Sequence, residues 1–309
     1  MGRVRKILFA IVTMAALVII GIAASGPFLA VKRPYGRGTL VVEGWMPEAS
    51  LRNALEVFGN GRYDHMVITG TVRPVSHHLR ADEALMATLD AGGTTEIVVR
   101  VAGLPGVPWT LHRDHVLIKS GVATAEPIDV RADVSGSGLH TWRFGADSAA
   151  YLTAAGTDAL FVGGWQVNGR SLHIVADSLW IADRTGASRP AARDHAGQAA
   201  QLLISMGMDP SDATILPAGQ HYNGRTNAAA QRFAHYATAQ QLDTCDVVTL
   251  GVHARRTWGA FRTACGPGVA VGILALDDPG CSAGRSIEFV RCWMLRAKEV
   301  IGLFASPVD

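Results

Sequence analysis

The residues best suited to chemistry lie in one turn, just after the apolar run Val247–Leu250. Gly251 ends the run, His253 follows, Arg255 and Arg256 come next, and a helical pattern begins there. In open α/β sheets, a strand that passes through a small-residue turn into a helix is where ligands bind. The helix start supplies free backbone N–H groups and a positive dipole end, and the arginines add charge. The pattern therefore predicts a site for an anion.

Two kinds of chemistry fit these side chains. His253 is suited to general acid–base catalysis, because histidine titrates near neutral pH. Arg255 and Arg256 are suited to binding a phosphate or carboxylate. The alternatives are that His253 bonds a backbone group at the helix start and that the arginines are solvated or ion-paired. We predict His253 as a catalytic residue and both arginines as ligand-binding residues.

The ends of two other predicted strands contribute further candidates. Glu43, near the end of the first strand, is predicted as a second catalytic residue, acting as a base or as the acid partner of an arginine. A structural ion pair is the alternative. Gly44, Trp45 and Gly70 are predicted to contact the ligand, although Trp45 could instead cover the core.

A helix start and a strand complete the predicted site. Thr226 and Asn227 lie at the start of a helix predicted over 225–239, and Thr249 lies in the strand before His253. All three are predicted ligand-binding residues, with an ordinary N-cap as the alternative for the first two. No P-loop, GxGxxG or nucleophile-elbow motif occurs, and no cysteine–histidine spacing indicates a metal site.

Periodicity predicts how these residues are positioned. Thr39–Gly70 is a strand, helix and strand with short links, which implies a parallel sheet. A short helix is predicted over Leu79–Leu89, and then short strands recur from about Glu96 to Asp183, which favours a β-sandwich. The predicted fold class is α/β: a doubly wound, mostly parallel Rossmann-like sheet interrupted by an inserted all-β sandwich, after one transmembrane helix. The predicted domains are a transmembrane anchor at 7–31, the first α/β part at 38–94, the insert at 95–185 and the second α/β part at 190–305.

The transmembrane prediction rests on Ile7–Val31, which carries no charge. As a helix it is about 37 Å long, enough to cross a hydrocarbon core of about 30 Å. Basic residues before it favour a cytoplasmic N-terminus and an extracytoplasmic remainder, in a single-pass inner-membrane protein; Lys32 and Arg33 after it weaken that orientation. A signal peptide ending near Ser25 is the alternative, and it also exports the chain.

Charge and cysteines add two expectations. Residues 1–33 hold five basic groups and no acid, so the formal net charge of +2 leaves −3 for the remainder, which gives it no electrostatic reason to bind nucleic acid. The pairing Cys245–Cys265 with Cys281–Cys292 is favoured, with free thiols as the alternative.

Four segments in this order resemble the YdcF/SanA/ElyC-like family of bacterial envelope proteins: VVEGWMPE, VITG, RTNAAA and GVHARR. The most specific pieces are Thr249, His253 and Arg256, followed by Thr226-Asn227-Ala228. The resemblance implies a Rossmann-like domain, in several members anchored by an N-terminal span, that acts in envelope or cell-wall biogenesis. It also implies S-adenosylmethionine as a candidate cofactor, and it does not specify a reaction.

The insert resembles calcium-dependent xylan-binding carbohydrate modules around the turn Asn168–Arg170 and Asp177. Those modules carry Asn-Asp where this chain has Gly163-Gly164, which removes an oxygen ligand that calcium needs. Trp109, Trp142 and Trp165 are candidates for stacking on a sugar, with core packing as the alternative.

Two functions follow. The first is the binding or processing of an anionic envelope metabolite, such as a phosphorylated or lipid-linked glycan, at the His253 site. The alternative is a non-catalytic carbohydrate-binding protein that acts through the β-sandwich.

Overall fold

The computed structural model describes residue 9, residues 12–14, 16, 20–22, 24–146, 158–219, 224–278, 281 and 286–305. The chain divides into two compact units. Unit 1 comprises Met1–Thr71 and His195–Asp309, and unit 2 comprises Val72–Asp194.

The helices and strands, in chain order, are α1 Gly26–Leu29, β1 Arg37–Glu43, α2 Glu48–Asn60, β2 Arg62–Gly70, β3 Ser76–Arg80, β4 Glu83–Ala91, β5 Thr94–Gly103, β6 Pro108–Arg113, β7 Val116–Val122, β8 Ile128–Ser135, β9 Gly138–Ala146, β10 Asp158–Val167, β11 Arg170–Ser171, α3 Leu172–Val175, β12 Ser178–Asp183, β13 Ser188–Pro190, α4 His195–Ser205, β14 Ala213–Pro217, α5 Arg225–Ala239, β15 Thr244–Leu250, α6 Ala254–Cys265, β16 Ala270–Leu276 and α7 Ser286–Ala305. Three short 3₁₀ turns lie at Pro210–Asp212, Gly251–His253 and Gly266–Gly268.

Unit 1 is built on a five-stranded parallel sheet with the strand order β14-β2-β1-β15-β16. From β1 the chain moves outward to β2 and β14, and it then returns to the other side of β1 to form β15 and β16. The order therefore reverses between β1 and β15. In a parallel sheet this reversal leaves a crevice at the carboxyl ends of the two central strands, where ligands bind.

Both faces of this sheet are covered, as the continuously apolar strands require. Leu40 and Val42 face one side, where they pack with α2 and α4. Val41 faces the other side, where it packs with α5 and α6. This alternation decides which side chains at the strand ends can meet: residues in register with Val41 lie on the side of α5 and α6.

Unit 2 consists of two antiparallel sheets. One has the order β11-β10-β5-β8, with β3 also pairing with β10, and the other has the order β13-β12-β4-β9-β6-β7. The buried core of this unit includes Trp109, Trp142, Phe144 and Trp165. Trp109 stacks on Phe144, and Phe144 meets Trp165 edge-on.

The predicted fold class is wrong as stated. Eleven of the sixteen described strands lie in the two antiparallel sheets, so the chain is mixed α/β and not mostly parallel. The helix predicted over Leu79–Leu89 is also wrong, because β3 and β4 cover this segment. Leu85, Ala87 and Leu89 are buried alternately, so the apolar residues of this segment follow the period of two of a strand.

The transmembrane helix is a second correction. Among the described residues, no helix is long and apolar enough to cross a membrane. Residues 7–8, 10–11, 15, 17–19 and 23 of the predicted span lie outside the described residues. At its end, Leu29 and Val31 are buried in unit 1, and the backbone of Arg33 pairs with Ile273. The apolar character of that end therefore reflects packing in a protein core.

One of the two predicted cysteine pairs is correct. Cys281 and Cys292 form a disulfide, whereas Cys245 and Cys265 are free thiols. Burial raises the pKa of the Cys265 thiol to about 11 and raises that of Cys245 further, so neither is a reactive thiolate at neutral pH.

Candidate functional site

The carboxyl ends of β1 and β15 carry a buried acid. Glu43 ends β1 and is only 1% exposed. Its Oε2 accepts a hydrogen bond of 3.2 Å from Thr257 Oγ1 on α6, and its Oε1 has no hydrogen-bond partner among the described residues. A buried carboxyl oxygen without a partner costs free energy, and no described residue offsets that cost for this atom.

Two buried hydroxyls flank this acid. Thr69 lies directly across from Glu43 in the β1–β2 register, and Thr249 follows Val248, the β15 residue that pairs with Val42. Both side chains are fully buried, and within the described chain neither hydroxyl has a hydrogen-bond partner. The two threonines and Glu43 therefore form a polar floor at the strand ends, on the side of α5 and α6.

A second cluster joins the 3₁₀ turn, α6 and α7. His253 Nδ1 lies 2.7 Å from Glu299 Oε1, and Arg256 donates to both Glu299 oxygens, at 2.6 Å to Oε2 and 3.1 Å to Oε1. Arg256 also donates to Thr226 Oγ1 at 3.4 Å. Glu299 is 1% exposed, whereas His253 is 14% exposed and Arg256 30%. The buried carboxylate thus holds a more accessible imidazole and guanidinium in place.

The electrostatics of this cluster keep the carboxylate charged. Burial alone raises the pKa of Glu299, but the polar contacts and charges of His253 and Arg256 outweigh it and lower the pKa to about 2. Burial lowers the pKa of Arg256, but the hydrogen bond and charge of Glu299, with a smaller contribution from Glu43, outweigh it and raise that pKa. Glu299 is therefore an ionised acceptor at neutral pH.

Glu299 holds His253 at ion-pair distance, but the contact between Nδ1 and the carboxylate lacks the alignment of a hydrogen bond. The position of Glu299 therefore places the imidazole without assigning its proton to one nitrogen. The ring also lies edge-on to Trp45, with 5.1 Å between centroids. Trp45 therefore limits the orientation of the imidazole.

The two arginines are already engaged, which differs from the predicted anion clamp. Arg256 is held by Glu299, and Arg255 donates to the Phe28 carbonyl at 2.6 Å and lies over the Phe28 ring at 3.7 Å. An anion would have to compete with a carboxylate for Arg256 and with a backbone carbonyl for Arg255. Ligand binding by these two residues stays a prediction.

The helix start supplies one buried and one exposed residue. Thr226 is 7% exposed and contacts Arg256, whereas Asn227 is exposed to solvent. The side chain of neither caps the helix, because the cap position belongs to Gly224. The predicted N-cap alternative is therefore wrong for both.

The glycines at the strand ends have a packing role. A Cβ on Gly44 would lie 2.4 Å from the backbone oxygen of His195, and one on Gly70 would lie 2.6 Å from the backbone nitrogen of Ala196. Both glycines allow the start of α4 to approach the sheet closely. The structure gives them this role without a ligand.

The helix starts at this edge differ in charge. In a parallel sheet the helices between strands begin at the carboxyl edge, and the first turns of α4, α5 and α6 contain no acidic residue, whereas that of α2 contains Glu48. The positive dipole ends of α4, α5 and α6 are therefore not offset by acids within the same turns, although Glu43 lies at the same edge.

The two cofactors that the resemblances imply stay predictions. At the strand ends, the backbone of α4 packs directly against Gly44 and Gly70. In unit 2, Asn168 Oδ1 accepts the backbone N–H of Glu96. Within the described residues no cluster of three or more histidine, cysteine or acidic side chains could hold a metal ion.

The three tryptophans predicted to stack on a sugar lie in the core of unit 2. Trp142 and Trp165 are fully buried and Trp109 is 3% exposed. Their rings cannot reach a glycan, so core packing is the correct alternative.

Sequence reasoning missed three residues of the site: Thr69, Thr257 and Glu299. Glu299 had a detectable signal, because it lies seven residues after Cys292 on an amphipathic helix and so shares that residue's buried face. A buried acid on an apolar helix face needs a partner of opposite charge, and Arg255, Arg256 and His253 were the candidates for that partner.

Comparison with known proteins adds little. No family model matches the chain, and no curated protein matches it. The structure of a family two carbohydrate esterase from Cellvibrio japonicus is similar at 10% identity over 74% of this chain and 82% of that chain, with a TM-score of 0.22. A similarity of this size carries no argument about fold or activity.

Proposed function

We propose that unit 1 binds a small anionic metabolite in the crevice between β1 and β15 and that His253 transfers a proton to or from it. The observation that carries this proposal is the 2.7 Å contact between His253 Nδ1 and the buried Glu299 carboxylate. A histidine oriented by an acid is the usual arrangement of a general acid–base residue.

The choice of an anionic ligand is supported by the three helix starts and by the arginines near His253. The ligand would place its charged group near these helix starts, displace part of the Arg256–Glu299 contact, and present a hydroxyl or a bound water to His253 Nε2. Glu43 Oε1, Thr69 and Thr249 would bind its polar groups, which would satisfy the three buried atoms that now have no partner.

A phosphorylated or lipid-linked glycan of the cell envelope is the proposed substrate class. This choice rests on the resemblance of the four strand-end and helix-start segments to the envelope-protein family, and it does not depend on the transmembrane prediction. The Cys281–Cys292 disulfide supports an oxidising compartment outside the cytoplasm as the place of action.

The experiment uses two soluble probes: UDP-N-acetylglucosamine, which carries a sugar pyrophosphate, and farnesyl pyrophosphate, which carries a lipid pyrophosphate. Binding is measured by titration calorimetry and turnover by mass spectrometry. We expect at least one probe to bind and His253→Ala to abolish turnover. His235→Ala removes an exposed histidine of α5 and is the control. If neither probe binds, or if the His253 variant retains full turnover, the proposal fails.

A further inference from the structure

A cleft on unit 2 is separate from the site described above. It has a volume of about 400 Å³, and its lining includes Met86, His112, Asp114, His115, Thr141 and Arg143. Ligand pockets of this kind typically span about 300–1,000 Å³, so the cleft suits a small molecule.

Strand register explains why these residues lie together. Met86 on β4 pairs with Arg143 on β9, and Arg143 pairs with His112 on β6. Their chain neighbours Leu85, Trp142 and Leu111 are buried in the core. Because side chains alternate along a strand, Met86, Arg143 and His112 form one row on the outer face of the six-stranded sheet.

A fixed turn closes one end of this row. Asp114 and His115 link β6 to β7, and both have left-handed backbone, with φ values of 48° and 71°. The Thr141 backbone N–H donates to Asp114 Oδ1 at 2.8 Å, and His140 Nδ1 lies 2.5 Å from Asp114 Oδ2. Glycine is the usual residue at the second position of such a two-residue turn, so His115 is conformationally costly there.

We propose that this cleft binds an anionic sugar, that is, a small polyhydroxylated ligand with a carboxylate or phosphate. Arg143 donates to the charged group, and His112 and His115 add donors beside it. Asp114 accepts from a sugar hydroxyl, Thr141 can donate or accept, and Met86 contacts the C–H face of the ring. None of the buried tryptophans of unit 2 takes part.

The test titrates the full chain with glucuronate, glucose 6-phosphate and glucose. We expect one or both anionic sugars to bind, each more tightly than neutral glucose, and Arg143→Gln to weaken that binding about 10- to 100-fold, the loss typical of hydrogen bonds to a charged group. Binding of glucuronate alone or of glucose 6-phosphate alone identifies a carboxylate or a phosphate as the preferred charge.

His112→Gln is the second variant, and we expect it to weaken binding less than Arg143→Gln does. Arg131→Gln is the matched control, because it removes an exposed arginine from the other sheet of unit 2. Thermal melts establish that each variant is folded. The proposal is overturned if no sugar binds at a concentration of about 10 mM, which corresponds to a very weak dissociation constant. It is also overturned if glucose binds as tightly as the anionic sugars, or if Arg143→Gln and Arg131→Gln change the affinity equally.

Discussion

At the scale of single residues, the account depends on the three-way contact of His253, Glu299 and Arg256. The sequence indicated two of these residues, because a histidine and an arginine at a strand-to-helix turn are recognisable from local spacing. It did not indicate Glu299, which is more than forty residues away and reaches the site only because α7 folds back onto the turn. Local spacing cannot predict a partner that tertiary packing brings in.

Glu299→Gln is expected to destabilise the protein by about 3 kcal/mol, because it leaves a half-buried guanidinium without its ion pair. Since the pKa of Glu299 is lowered to about 2 in the folded protein, its contribution to stability is complete above its ordinary value of 4.5 and is lost as the pH falls towards 2. Urea unfolding between pH 7 and pH 3 measures both effects.

Glu48→Gln is the control for that variant. Glu48 pairs with Arg52 at the surface, where both side chains are more than half exposed, so its loss should cost less than about 1 kcal/mol. Equal losses for the two variants would show that Glu299 is no more than a surface ion pair.

At the scale of elements, the strand-end glycines position α4. Gly44→Ala and Gly70→Ala place a methyl group against the α4 backbone and should each destabilise unit 1 by about 1–3 kcal/mol. Gly59→Ala lies within α2 with no atom within 4 Å of the added carbon, and it should be neutral or stabilising by up to about 1 kcal/mol. Thermal melts compare the three, and an unchanged melting temperature in the Gly44 variant would contradict the close approach of α4.

A buried histidine pair links β3 to α3. His77 Nε2 and His173 Nε2 are 2.9 Å apart, and His173 Nδ1 donates to the Arg73 carbonyl at 2.8 Å. His77 is a buried strand residue. Burial, together with neighbouring positive charge, lowers the pKa of His77 to about 3 and that of His173 to about 4, so both rings are neutral.

Because these folded-state pKa values lie below the ordinary 6.5 of histidine, the stability they contribute is complete above pH 6.5 and is lost as the pH falls towards 4. His77→Gln keeps a donor to His173 but does not titrate. The melting temperature of this variant should therefore fall less between pH 7 and pH 4.5 than that of the wild type. His78→Gln changes the exposed neighbour and should follow the wild type. A wild-type melting temperature that is flat over this range would refute the neutral pair.

At the scale of the whole molecule, the chain consists of two units, and unit 2 interrupts unit 1 in sequence. The strands of unit 1 in Thr39–Gly70 and after His195 could be predicted from the sequence, because parallel strands buried on both faces are continuously apolar. The start of the insert was placed at 95 and not at Val72, because the alternation in β3 and β4 was read with a helical period. At the end of the apolar N-terminal run, hydropathy does not distinguish residues of a membrane span from residues that pack in a core, as Leu29 and Val31 do.

Unit 1 should fold without unit 2. The His195 N–H donates to the Thr71 carbonyl at 3.0 Å, so the two ends that would be joined already lie together. We expect a chain in which two glycines replace Val72–Asp194 to be folded and to melt in a single cooperative transition. Residues 72–194 produced alone are the matched fragment. A molten or aggregated excised chain would contradict the independence of unit 1.

The most direct test of the central claim is a comparison of His253→Ala, His235→Ala and the wild type for turnover of the sugar and lipid pyrophosphates. If His253 is the acid–base residue, its loss lowers kcat about 10²–10⁴-fold while binding changes little, and the exposed His235 on α5 can be removed without effect. Equal turnover in all three proteins, or no binding of either probe by the wild type, would show that the crevice between β1 and β15 does not perform this chemistry.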